Sequence, residues 1–230
     1  MNAIFTRAQR LLNLADYSNY VAPVDCGNPS CDPPTDRQYI LRMMVQRAND
    51  DLTIPTELKW LEGVIRDCSH RQLVNGLNPK KDFIYVTVRH GIVTTETDDL
   101  WHVDGFSMRI SHRPEQNYIY SNIYPTEILS HGFDIPVDFN PHEHNIHMFF
   151  QDRADSSKTM ILPEGRLFLI DPYIVHRRQK ASAGKMRTFY RISFIPIEID
   201  DDTCTPNPLL PNKVYQRDGV QEVRDKLRRY

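Results

Sequence analysis

From Asp82 onward the chain is cut into short runs of β-branched and aromatic residues, and this punctuation limits the possible folds more than any other feature. Residues 83–88 read Phe-Ile-Tyr-Val-Thr-Val, and a second run, 91–95, follows a turn. Further runs lie at 118–124, 128–129, 146–150, 159–162, 166–170, 174–178 and 187–198. Such residues fit a pleated, half-buried surface, and Gly165, Gly184 and several prolines separate them. Many short strands with no helical stretch between them predict an all-β barrel or sandwich.

The first 80 residues read differently. Ile4, Leu11, Leu12 and Leu14 are loosely helical in spacing, and 21–36, with Pro23, Gly27, Pro29, Pro33 and Pro34, is a loop. Pro34-Thr35-Asp36 predicts the start of a helix whose buried stripe is Ile40, Leu41, Met44 and Val45. Pro55-Thr56-Glu57 predicts a second, carrying Leu58, Trp60, Leu61, Val64 and Ile65. Both are expected to buttress the sheet that follows. The tail returns to helix at 221–229 after a solvated loop over 200–211. The expected organisation is one domain over 1–230, with helical support over 1–80, a β core over 83–198 and a tail over 199–230.

With 230 residues, 40% of them hydrophobic, the chain can build one sizeable core. A net charge of −2 argues against a nucleic-acid footprint. No apolar run approaches the ~20 residues that cross a bilayer. The N-terminus lacks a charged leader before an apolar core, so no signal peptide and a cytoplasmic location are expected. Cys26 and Cys31 could form a disulfide or half of a zinc site. No second close pair completes four ligands, so they are read as free thiols in a loop.

Chemistry enters at residues 100–106, Leu-Trp-His-Val-Asp-Gly-Phe. At the end of an extended run, His102 and Asp104 leave the backbone on one face and can share a metal ion. His176 is the candidate third ligand. Two His and one carboxylate with open positions are the facial triad of non-haem Fe(II) oxygenases. About one His-x-Asp triplet arises by chance in a chain of this composition, so its setting decides. After His176 comes a turn ending at Gly184. A strand follows on which Arg187, Phe189, Arg191 and Ser193 share a face. Two inward guanidinium groups need anionic partners, and a dicarboxylate is one.

In this ordered set the chain resembles the Fe(II)/2-oxoglutarate-dependent dioxygenases. The resemblance spans roughly 83–198, and N-terminal helices suit it too. It implies a mainly β, double-stranded β-helix (jelly-roll, cupin-like) core buttressed by helices. It implies Fe(II) on His102, Asp104 and His176, with 2-oxoglutarate and O2 as co-substrates. The activity implied is oxidation, usually hydroxylation, of a C–H bond in a small-molecule substrate, with release of succinate and CO2. The co-substrate's distal carboxylate belongs on an arginine ten to fifteen residues past the distal His. Arg187 and Arg191 both qualify. Arg187 ranks ahead because it follows Gly184 in a glycine-turn-arginine pattern, and Arg191 would then take the other carboxylate or an anionic substrate. Arg191-Ile192-Ser193 also resembles an Arg-x-Ser pair used by part of the family. Thr126, or Tyr120 and Asn122, could complete the co-substrate site. Phe106 and Arg109 follow the triad and are substrate candidates.

Other readings stay open. A cupin-type isomerase or hydrolase would keep the metal without 2-oxoglutarate. The substrate could be a nucleobase or a protein side chain, and a non-catalytic β-sandwich would make the triplet a coincidence. The stretch 142–147, His-Glu-His-Asn-Ile-His, lacks the spacing that presents two His from one helix turn. It is read as a polar loop running into a strand at 146–150, with a substrate-contacting lip as the alternative.

Overall fold

The computed structural model describes residues 2–35, 38–93, 100–104, 112–140, 143–180, 182–199 and 204–210. Its elements are α1 (Ala3–Arg7), β1 (Val24–Asp25), β2 (Tyr39–Gln46), α2 (Glu62–Val74), β3 (Phe83–Ile92), β4 (Gln116–Ser121), β5 (Thr126–Leu129), α3 (Ile146–Arg153), β6 (Thr159–Ile161), β7 (Leu167–Ile170), β8 (His176–Arg178) and β9 (Met186–Ile195). The strands form two antiparallel sheets, ordered β1-β7-β4-β9-β3-β2 and β6-β5-β8. His102 joins the edge of the smaller sheet through an isolated bridge to His176. From β3 the chain passes back and forth between the sheets, through His102, β4, the β5–β6 pair, β7, β8 and β9. That winding is a double-stranded β-helix, cupin-like in architecture.

Strand alternation decides what each face of the large sheet does. Ile84, Val86 and Val88 of β3, Tyr118 of β4 and Tyr190, Ile192 and Phe194 of β9 bury one face. They pack against Val64, Ile65 and Cys68 of α2 and against Leu58 and Leu61 of the 3-10 turn before it. The other face meets the small sheet through Ile119, Ile128, Phe168, Ile170 and Ile174. Arg187, Phe189, Arg191 and Ser193 belong to this inner face, paired across the ladder with Gly91, Arg89, Thr87 and Tyr85.

Two expected elements change type. Residues 39–46 form an antiparallel strand, not a helix. Met43 and Val45 join the core beside α2 while Met44 packs on the other side with Tyr85 and Ile195. A strand end buried on both faces shows consecutive apolar residues, which imitate a helical stripe. The run 146–150 is helical, because Asn145 Oδ1 accepts from the amides of His147 and Met148 and caps α3. Ile146, Phe149 and Phe150 then bury one face at i, i+3 and i+4. The expected helical support over 1–80 therefore contains two strands of the large sheet, β1 and β2, and α2 follows them in the chain and packs on that sheet's outer face. The 91–95 run is partly the end of one continuous β3, and 94–95 lie outside the described residues, as do the tail 221–229 and residues 200–203. The four cysteines are free thiols. No helix among the described residues is long and apolar enough to cross a membrane.

A buried ion pair ties α1 to the segment leading to His176. Arg7 Nη1 donates to Asp171 Oδ2 at 3.1 Å, and Asp171, 1% exposed, also accepts from the Tyr173 amide. Burial outweighs Arg7 and pushes the Asp171 carboxyl up to about 6. The unfolded chain releases this proton near pH ~3.9, so the folded state binds more protons between the two values. Stability from this group therefore falls as pH rises from about 4 to about 6 and is level above, by roughly 2–3 kcal/mol. Asp171→Asn should remove that component. The difference in unfolding free energy between wild type and variant, measured in urea at pH 4 and pH 7.5, reports it.

Candidate metal centre

His102 and His176 face each other across the bridge that closes the small sheet. The His102 amide donates to the His176 carbonyl at 2.9 Å and the His176 amide to the His102 carbonyl at 2.8 Å. Their rings lie 4.6 Å apart, centroid to centroid. Each ring is oriented by the carbonyl two residues before it: His102 Nδ1 lies 2.8 Å from the Leu100 oxygen, and His176 Nδ1 lies 2.9 Å from the Ile174 oxygen. A carbonyl only accepts, so both Nδ1 atoms carry the proton and both Nε2 atoms are left to act as ligands. Trp101 and Val103 alternate with His102 and Asp104 and sink into the cluster formed with Phe149, Phe150, Tyr173 and Val175. That packing fixes the side to which His102 and Asp104 point.

Asp104 completes the group: one ligand atom from each of His102, Asp104 and His176 lies within 4.8 Å of the other two. Asp104 Oδ1 pairs with Arg191 Nη1, and Oδ2 lies 3.3 Å from His176 Nε2. Burial alone would raise the Asp104 carboxyl, but Arg191 and the two imidazoles hold it well below the usual carboxylate range. The same pairing, with Glu115 nearby, keeps Arg191 above its ordinary value despite burial. A lone pair on Nε2 and an ionised oxygen 3.3 Å apart repel unless a cation is shared between them. A proton or a metal ion supplies one, and two imidazoles with one carboxylate suit a divalent transition metal.

The remaining expected residues divide. Arg187 is buried on the same inner face as Arg191. Its Nε donates to Ser121 Oγ and to the Ile123 carbonyl. No carboxylate pairs with it among the described residues. Burial, with Arg178 and Arg89 adding like charge, pushes it down to about 10, which leaves it cationic at neutral pH. Thr126 is buried on β5 opposite Arg178. Ser193 donates to Asn117 Oδ1 at 2.5 Å. Asn122 accepts from the Thr188 amide and closes the β4–β9 ladder. Tyr120 points to the outer face, stacked on Tyr190 at 4.6 Å, because it falls one residue out of phase with Ile119 and Ser121. Phe106 and Arg109 lie outside the described residues. Sequence reading missed Arg178, which shares a face with His176 two residues earlier and could have been found by extending that alternation.

A double-stranded β-helix with two histidines and a carboxylate clustered between its sheets is a cupin-like fold carrying a group that could hold a metal ion. Two solved structures are similar at low identity. One is described as "Non-heme monooxygenase, ThoJ-Ni complex", at 10% identity and a TM-score of 0.35, covering 73% of this chain and 69% of that one. The other is AviO1 from Streptomyces viridochromogenes Tue57, at 14% identity and a TM-score of 0.40, covering 89% and 87%. No family model and no curated protein matches the chain.

Proposed function

We propose that this chain is a non-haem Fe(II) oxygenase that uses 2-oxoglutarate to oxidise a C–H bond of a small-molecule substrate. His102, Asp104 and His176 would hold the iron, and Arg187 would hold the distal carboxylate of 2-oxoglutarate. The observation that carries the reading is Arg187: a buried cation on the inner face, flanked by Arg178 and Arg89, with its Nε secured by Ser121 and Ile123. Such a group is costly without an anion, and a guanidinium fork fits a carboxylate in two contacts. When bound there, iron and 2-oxoglutarate would supply O2 activation, with succinate and CO2 as the co-substrate's products.

The protein's part is positional. The Leu100 and Ile174 carbonyls orient the imidazoles, and Arg191 fixes one oxygen of Asp104. Titrating 2-oxoglutarate calorimetrically into the Mn(II)-loaded protein without O2 tests the reading. Saturable binding is expected, weakened roughly 100-fold in Arg187→Met, since charge-assisted hydrogen bonds are worth about 1.5–3 kcal/mol. Mn(II) affinity should stay unchanged. Metal binding with no response to 2-oxoglutarate would instead favour a metal-dependent cupin isomerase or hydrolase.

A further inference from the structure

Among the described residues of the 142–147 stretch, metal-rich in sequence yet without metal-site spacing, His147 comes beside His102. His147 sits in the first turn of α3. The Asn145 cap and the burial of Ile146, Phe149 and Phe150 against Trp101 and Val103 fix its position. Its ring lies 6.2 Å from that of His102, centroid to centroid, at an interplanar angle of 69°. His147 Nδ1 is buried with no hydrogen-bond partner among the described residues. It stands outside the group whose ligand atoms lie within 4.8 Å of one another. A buried ring nitrogen without a partner is costly in a scaffold. Beside the His102–Asp104–His176 cluster, it is suited to meet whatever binds there.

We propose that His147 is a ligand-contacting residue of this site. It does not bind the metal; it hydrogen-bonds a polar oxygen or nitrogen of a molecule seated at the His102–Asp104–His176 cluster. The substrate class that follows is one with a hydrogen-bonding heteroatom next to the reacting position, rather than a pure hydrocarbon. This inference rests on the metal reading above, and its test separates the two.

The test uses Co(II) as the metal and azide as the probe ligand, in wild type, His147→Leu and His147→Gln, with folding of each confirmed by its thermal transition. Co(II) affinity is expected to agree within about twofold across the three. Azide, followed by the Co(II) visible bands, should bind roughly tenfold more weakly to His147→Leu, the worth of one hydrogen bond to a charged acceptor. His147→Gln, which keeps a donor, should recover most of the loss. Equal azide affinity in all three, failure of the glutamine to rescue, or no azide binding in wild type would overturn the role of His147 while leaving the metal centre intact. A collapse of Co(II) affinity in His147→Leu would overturn it by making His147 a ligand. No Co(II) binding in wild type would overturn the metal reading itself.

Discussion

Replacing His176 with alanine is expected to weaken divalent metal binding by at least about 100-fold while leaving the chain folded. Loss of a group that merely orients a metal ligand already costs 10–100-fold, and in the proposed centre His176 would supply a donor atom directly. The strand itself should survive. Its pairing with His102 and Ile128 runs through the backbone, and its apolar neighbours Ile174 and Val175 remain buried. The stability cost should stay within about 2 kcal/mol, that of one buried hydrogen-bonded side chain. Co(II) titration followed optically and a urea unfolding curve check both halves. Wild-type metal affinity in His176→Ala would remove this residue from the site.

The second large effect is expected in Arg191→Met. The side chains of Arg191 and Asp104 are 18% and 17% exposed, and the pair stands between the sheets. Removing one partner of such a pair leaves an uncompensated charge and costs about 3–5 kcal/mol. Here the loss should depend on metal. A divalent ion on Asp104 replaces the missing positive charge, so saturating Co(II) should return much of the stability, about 2.7 kcal/mol at a hundredfold excess over Kd. Thermal melts with and without Co(II) measure this. A melt unchanged by the substitution would show that Asp104 does not need Arg191, and a destabilised variant that Co(II) does not raise would show that Asp104 takes no metal.

The β strands of the core were legible because each is short, β-branched or aromatic, and closed by Gly or Pro, so the runs 83–88 and 187–198 mark the strands Phe83–Ile92 and Met186–Ile195, although the turn expected before Gly91 is instead part of the first of them. Alternation along the last strand also placed Arg187 and Arg191 on one face. It could not divide their roles, since that depends on Asp104 arriving from a segment some ninety residues earlier. Strand β2 was misread because burial on both faces erases the period of two at Met43–Gln46. The helix α3 carried a legible sign, Asn145 ahead of Ile146, Phe149 and Phe150, but its aromatic residues also suit a strand. His147 was visible only as part of a histidine-rich run. Its approach to His102 is a tertiary fact that no local period encodes. Likewise the carbonyls that set the imidazole tautomers belong to Leu100 and Ile174, where the side chain says nothing about the backbone oxygen.

The most direct measurement is anaerobic: Fe(II) and then 2-oxoglutarate are added to the metal-free protein and the visible spectrum is recorded. A weak metal-to-ligand charge-transfer band is expected in wild type, absent in His176→Ala and reduced at a given 2-oxoglutarate concentration in Arg187→Met. Iron demonstrably bound with no band would contradict the use of 2-oxoglutarate, and no iron binding would contradict the metal centre built on His102, Asp104 and His176.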